Sequence, residues 1–470
     1  MEQLLTDTWL TAPIGCTILL SLIVIMINAL KKDSLAAEYW VSLIGIAANI
    51  VLAVVFFPDR GTAYSGMVMT GGYASITAIL FLTAAGLTIL LSREYIEKIG
   101  VNFGEFFHLI LLATTGMMTF SAGTDLVVTF IGLELMSISL YVLAGISRRH
   151  HKGNEAALKY FLLGAFASGF FLYGIALIYG MTSTTNILEI AQNMQAYMSE
   201  PLFLTGVGLL LVGFAFKVGA VPFHMCVPDV YEGSPTMVSA FMSTGAKASA
   251  FTAFLLIFTA TFDIAGTQIN TVLAILAVAS MVIGNVVALS QNNIKRMLAY
   301  SSIAHAGYML IGLTAGGMMS ITGVLFYLIS YMFTNIGAFG IAAIIENKEQ
   351  GGTEIDNFRG LYYRHPALAV MMSIFMFSLV GLPPLAGFFG KYYIFVAAIE
   401  NGYTWLTIIG VITSMISVYY YLRVVVVMFF QTDEEAEKSS LASSSVFALL
   451  LSAAGVLLIG VFPSIVLDWM

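Results

Sequence analysis

LLLVGFAFKVGAVPF, residues 209–223, decides the fold. One lysine, Lys217, sits in an otherwise uncharged apolar run, and Pro222 follows it. Such a run reads as a membrane helix that breaks at its proline. Proline removes a backbone donor and clashes with the preceding turn. In lipid the freed carbonyls must find protein or water. Three more charged residues share this setting. They are Glu134 in IGLELMSISLYVL (131–143), Lys247 in MVSAFMSTGAKASAFTAFLL (237–256) and Lys391 in SLVGLPPLAGFFGKYYIFV (378–396). An ionised side chain at mid-membrane costs roughly 2.5–3.5 kcal/mol on insertion scales, so four cost on the order of 10 kcal/mol. Membrane proteins keep such groups when they pair, meet water or move charge. The chain therefore reads as an ion or proton pathway.

The rest of the sequence extends this reading. Of 470 residues, 59% are hydrophobic and 10% charged, and the mean hydropathy is +0.93. A spanning helix needs about 20 apolar residues. About fourteen such runs are legible, near 12–30, 39–57, 74–92, 106–121, 123–146, 158–180, 201–219, 235–259, 268–290, 296–314, 319–345, 365–381 with 386–400, 402–430 and 444–464. The fold class is thus all-α, a polytopic membrane protein. The runs are continuous and not alternating, which excludes a barrel. Glu2 and Asp7 replace the basic start of a cleaved signal.

Charge placement orients the spans. Fifteen lysines and arginines fall in loops, fourteen of them on one side and Arg60 alone on the other. That asymmetry predicts an even number of spans with both termini on the non-cytoplasmic side. Arg423, near a cytoplasmic helix end, is expected to snorkel. Cys16 and Cys226 lie far apart, no CxxC or His/Cys cluster exists, and no glycine-rich phosphate loop is visible. No cofactor, metal or nucleic acid is expected on this chain. His150 and His151 lie in a basic loop and read as solvated. The acidic stretch 433–438 reads as a solvated turn, and 183–200 as a hairpin or surface helix.

A weak internal symmetry runs through the chain. Two spans are broken by proline, one at Pro222, Pro228 and Pro235, the other at Pro383 and Pro384. Paired broken helices point to a repeat transporter's active region. Lys217 to Lys391 is 174 residues, Glu134 to His305 is 171 and Lys247 to Arg423 is 176. Spans four to eight would match nine to thirteen, as two inverted five-helix repeats. The expected divisions are 1–104 (three N-terminal helices), 105–260, 261–431 and 432–470.

Several stretches resemble one family. FHMCVPDVYEGSPTMVSAFMSTGAKASAF (223–251), GLPPLAGFFGKYYIF (381–395) and GLELMSISLYVL (132–143) resemble signatures of the antiporter-like membrane subunits of respiratory complex I. QNNIKRMLAYSSIAHAGYML (291–310) and FYLISYMFTNIGAFG (326–340) add two more. PDVYEGSPT (228–236) looks like the N-type subunit of NADH–quinone oxidoreductase. Mrp sodium/proton antiporter subunits, the alternative reading, usually carry a PDAH-like version. Met225–Cys226 departs from the family, where tryptophan commonly follows the histidine. The resemblance implies proton translocation coupled to quinone reduction. It implies other membrane-arm subunits as partners, among them an M-type and small helical subunits. It implies quinone contact only indirectly, flavin and iron–sulfur clusters in other subunits, and a bacterial inner or equivalent energy-transducing membrane.

The candidate relay is Glu134, Lys217, Lys247, His305 and Lys391. The resemblance implies that Glu134 pairs with Lys217. The plain alternatives are packing for Glu134 and snorkelling for Lys217. Gly245, Ala246, Ala248 and Ser249 leave space beside Lys247 for water. His305 reads as a bridging proton site or a satisfied polar contact. Histidine titrates near neutral pH without help. His224, at the break, reads equally as a relay member or a helix-end cap. Tyrosine, phenylalanine and methionine are abundant and read as packing and lipid-facing surface.

Overall fold

The computed structural model describes residues 1–31, 34–101, 104–147, 151–261, 268–346, 352–431 and 441–470. Lys32, Arg148, Arg149, His150, Lys348 and the acidic stretch 433–438 lie outside them.

Helices match the apolar runs one for one. They are α1 (Ala12–Leu30), α2 (Leu35–Val55), α3 (Gly72–Lys98), α4 (Glu105–Ala122), α5 (Leu126–Ala144), α6 (His151–Thr182) and α7 (Pro201–Val218). Then follow α8 (Thr236–Thr259), α9 (Gln268–Ala288), α10 (Ile294–Ala315) and α11 (Gly317–Ile345). Next come α12, in two pieces (Pro366–Val380 and Ala386–Glu400), α13 (Thr404–Phe430) and α14 (Ser443–Val461). Twelve are long and apolar enough to cross a membrane. The other two are α10, which carries Lys295, Arg296 and His305, and the broken α12. The 183–200 stretch forms short helices at Ile187–Gln192 and Met194–Tyr197. One small hairpin departs from the all-α reading: β1 (Gly61–Ala63) pairs antiparallel with β2 (Val68–Thr70), with Thr62 opposite Met69.

Both chain ends meet this hairpin loop. Thr11 and Tyr64 hydroxyls are 3.3 Å apart, and the Phe57 and Trp469 rings meet edge to face at 5.3 Å. The ends thus share one face, as an even number of spans requires. Arg60 lies on that face, over Phe57. On the opposite face, basic side chains cap carbonyls. Lys98 Nζ donates to Ile344 O at 2.9 Å. Arg423 donates to Gln291 O at 3.2 Å and Asn292 Oδ1 at 2.8 Å, the helix-end placement expected of it. A cation at a helix C-terminus complements the dipole. Lys295 corrects the loop count. It lies in the first turn of α10, buried, and donates to Ser234 O at 2.6 Å.

The core is polar-studded and central. The α8 span is wholly buried, and α11 is mostly so. Glycines let neighbours approach. A Cβ on Gly132 would sit 2.3 Å from Phe120 N, and one on Gly284 2.6 Å from Ala304 N. These contacts draw α4 onto α5 and α9 onto α10.

Local features recur in the two parts of the chain, though not at one offset. Asp125 caps α5 by accepting from Val127 N and Val128 N. Asn293 caps α10 by accepting from Lys295 N and Arg296 N. Each cap residue also forms an isolated antiparallel bridge, Asp125 with Asn186 and Asn293 with Glu354. Aligning the caps puts Glu134 opposite Ser302 and Ser137 opposite His305, so the Glu134–His305 offset read from sequence is not the one the backbone repeats. The breaks recur at a different offset from the caps. Gly219 and Gly381 both end a helix in the left-handed region, at φ 74° and 91°. Aligning them puts Lys217 opposite Leu379. The two lysines therefore stand on opposite sides of their breaks.

With the basic face cytoplasmic, a reporter inserted after Lys152 should face the cytoplasm and one within 192–199 should face outward. Reporters on the same side would contradict the helix order.

Candidate functional site

The two breaks hold their lysines from opposite sides and by different partners. Lys217 lies in the last turn of α7. Lys391 follows the α12 break, and its Nζ reaches back to Leu379 O at 3.0 Å and Val380 O at 2.8 Å. The Lys391 ammonium thus sits at the C-terminal end of a half-helix, where unsatisfied carbonyls and the dipole favour positive charge. Lys391 also donates to Ser414 Oγ at 2.8 Å and lies 4.9 Å over the Tyr308 ring.

Lys217 does not form a direct ion pair with Glu134. Its Nζ donates to Ser137 Oγ at 2.7 Å and Tyr141 Oη at 3.3 Å. The Glu134 carboxylate accepts instead from Ser168 Oγ. Ser137 stands one helical turn from Glu134 on the same face, so its hydroxyl takes the place expected of the carboxylate.

Lys247 is 3% exposed and donates to Ser302 O at 2.6 Å and Ser302 Oγ at 2.8 Å. It follows a π-helical segment, Met242–Ala246, and a second lies at Leu255–Thr261. Such bulges frequently mark functional sites. The space expected beside Gly245 is filled by Met117 and Phe241. Space lies instead on the Met242 and Ala246 side, as a cavity of about 40 Å³ whose walls include both Lys217 and Lys247. That exceeds the roughly 10–15 Å³ a single water needs.

A second set of hydrogen bonds starts at the residue next to Ser302. Adjacent Ser301 is hydrogen-bonded to Tyr421 Oη, which lies 3.0 Å from His305 Nε2. His305 Nδ1 is hydrogen-bonded to Tyr327 Oη. The edge of Tyr308 meets the His305 ring at 5.6 Å, and Lys391 sits on the face of Tyr308. The structure thus brings Lys247, His305 and Lys391 into one array, with Lys217 joined through the cavity. His224 stays outside it. It lies in the break, half-buried, and its Nδ1 has no hydrogen-bond partner.

Comparison with known proteins fits this geometry. The family described as NADH:quinone oxidoreductase/Mrp antiporter, TM, matches residues 123–417. The chain belongs to this family. It is 48% identical over 454 residues to an NADH-quinone oxidoreductase subunit N of Trichlorobacter lovleyi, covering 96% of this chain and 92% of that one. It is 46% identical over 402 residues to a subunit N 1 of Chloroherpeton thalassium, covering 85% and 84%. A chain of respiratory complex I from Thermus thermophilus with bound aureothin superposes with a TM-score of 0.83 at 33% identity, covering 97% of this chain and 98% of that one. The Mrp complex of Dietzia matches at 20% identity with a TM-score of 0.87 over 99% and 96%, which shows the fold alone.

Within this family member, the sequence reading missed the tyrosines. Tyr141, Tyr327 and Tyr421 hold relay candidates through their hydroxyls, and Tyr308 offers its face. Twenty-two tyrosines in one chain left these indistinguishable from packing. The usable signal was spacing: Tyr308 lies one turn from His305, and Tyr141 one turn from Ser137.

The short helix Cys226–Gly233 between α7 and α8 walls the cavity with Val227, Val230 and Tyr231. Its other side is clamped on the basic face. Asp229 accepts from Lys159 at 2.9 Å and Arg296 at 2.8 Å. Glu232 accepts from Arg296 at 3.0 Å and Lys152 at 3.2 Å. Burial raises both carboxyls, but these hydrogen bonds outweigh it and hold them below their ordinary 3.8 and 4.5. A depressed folded value gives stability that is complete above the ordinary value and lost as pH falls through the folded one. Hydrogen-exchange protection of 226–233 in the purified complex should therefore stay level from neutral pH down to the ordinary carboxylate range and fall only below it. Loss already at neutral pH would contradict the clamp.

Proposed function

We propose that the chain is a proton-translocating, antiporter-like subunit of N type in the membrane arm of an NADH–quinone oxidoreductase. The observation that carries this reading is the array from Lys217 through the water-sized cavity to Lys247, Ser302, Ser301, Tyr421, His305, Tyr308 and Lys391. The names of its relatives agree, as do the motifs at 132–143, 223–251 and 381–395. Its partners are other membrane-arm subunits. Flavin, iron–sulfur clusters and quinone chemistry belong to the rest of such a complex. Residues 105–260 and 261–431 form two inverted halves, each with one proline break. Both termini lie outside the cytoplasm, as the single basic residue Arg60 beside them supports.

Each lysine loads a proton as ammonium and releases it as neutral amine. The hydroxyls and waters between them both donate and accept, so a proton can enter on one side of each as another leaves. Glu134 sets the first lysine. With its carboxylate turned to Ser168, Lys217 has only neutral partners. Turned toward Lys217 at about 4 Å, it would gain on the order of 4 kcal/mol at an effective dielectric near 20. Opening and closing that pair loads and unloads Lys217, and the change passes through the cavity to Lys247. His305, between two tyrosine hydroxyls, bridges Lys247 to Lys391. His224 is a helix-break residue without a relay partner.

If Glu134 and Lys217 act as one device, their substitutions should not add. Glu134→Gln and Lys217→Ala should each abolish proton pumping and coupled quinone reduction, and the double variant should be no worse than either. Glu134→Asp should keep part of the activity, because charge is retained and only reach is shortened. Vesicle assays on all four would decide. A Glu134→Gln complex pumping at the parent rate, or additive losses, would rule out the pair.

A further inference from the structure

A cavity of about 370 Å³ opens on the basic face, lined by Glu346, Lys295, Ser234 and Pro235 among others. It meets the protein interior at the start of α8 and the end of α11, which run antiparallel. There Thr236 Oγ1 donates to Glu346 Oε2 at 2.8 Å. Deeper between the same two helices, Asn335 Nδ2 donates to Ser243 Oγ at 3.0 Å. Thr236, Ser239, Ser243 and Lys247 recur every three or four residues, so one face of α8 carries polar groups from the cavity to the central lysine. The π-helical segment Met242–Ala246 begins one residue before Ser243.

This interface is unusual in what it leaves unmade. Asn335 Oδ1 and Ser234 Oγ are buried atoms without a hydrogen-bond partner. Their residues are at most 3% exposed. Each such atom costs about 1–3 kcal/mol unless satisfied. Buried polar atoms are otherwise nearly always paired with protein or ordered water. One of these atoms lies at the cavity and the other beside Ser243, and water between the two helices would satisfy both. Beyond Asn335, the Tyr331 hydroxyl faces Asn335 and Ser302, and its ring lies 5.2 Å from that of His305. The cavity beside Lys217 is lined by Met242 and Ala246 and not by Ser243 or Asn335.

We propose that Lys247 takes up its proton from the basic face between α8 and α11, with Glu346 as the collecting group and Asn335 as the residue that positions the water. This rests on the proton-relay reading above. A hydrated proton in the cavity protonates the Glu346 carboxylate. The acid returns it to water beyond Thr236, and water held by Ser243 and Asn335 delivers it to the neutral Lys247 amine. One O–H bond breaks and one N–H bond forms, with no net change in Glu346. Uptake thus reaches the centre of the array and not the Lys217 end.

The test uses the intact complex in sealed vesicles, reading protons taken up per electron transferred. Asn335→Leu removes the amide and fills its space, and Glu346→Gln removes the exchangeable proton. Both should lose proton uptake while quinone reduction with the gradient collapsed persists. Asn335→Ser and Glu346→Asp, which keep a water ligand and a carboxylate, should restore most of it. A purely packing role for Asn335 would instead give the same proton-to-electron ratio in Leu and Ser variants. If Asn335→Leu fails to assemble, Glu346→Gln, at a helix end, decides alone. Parent ratios for Asn335→Leu and Glu346→Gln beside a dead Lys247→Ala would overturn the route and leave the relay standing. A Lys247→Ala complex that pumps at the parent ratio would overturn the relay itself.

Discussion

A charged amine inside a membrane has to be solvated by the protein, and that requirement organises this fold. Lys391 meets it at a helix C-terminus opened by proline, and Lys217 meets it with the hydroxyls of Ser137 and Tyr141. Lys247 meets it with the carbonyl and hydroxyl of Ser302. No carboxylate lies within ion-pair distance of these three amines among the described residues. Neutral partners lower the cost of burial without fixing the charge. A tight ion pair would hold the proton far more firmly. The choice of hydroxyl and carbonyl partners therefore suits a site that must load and unload.

The same constraint explains the packing around the array. Helix α8 is surrounded on all sides, so every polar group on it must be answered from a neighbouring helix or from water. The π-helical segments on either side of Lys247 shift the register of α8 there. Glycine contacts between α4 and α5, and between α9 and α10, bring the residue pairs Glu134–Ser137 and Ser301–His305 close to the centre. The outer helices α1, α2 and α14 carry little of this burden and expose apolar surface instead.

Much of this was legible in the sequence. The fourteen spans follow from apolar runs of sufficient length, and the breaks follow from Pro222, Pro383 and Pro384. The buried charges announced themselves by their isolation. What stayed hidden was the arrangement between helices. Nothing local to Glu134 says that Ser168 will hold it or that Ser137 will stand between it and Lys217. Equal spacing of charges did not predict the matching caps and bridges at Asp125 and Asn293, where short polar residues look ordinary. Lys295 looked like a loop cation because helix starts are poorly marked when the first turn is basic. The π-helical segments have no sequence signature in MSTGA or LLIFTAT.

The central claim is that these amines release protons and are not merely buried charge. Arginine separates the two, since it keeps the charge and does not deprotonate in a protein. The decisive measurement is proton pumping in sealed vesicles by complexes carrying Lys217→Arg, Lys247→Arg or Lys391→Arg, each checked for full assembly. The account predicts that all three assemble and that none pumps. Full pumping by any of them would show that this lysine carries no proton.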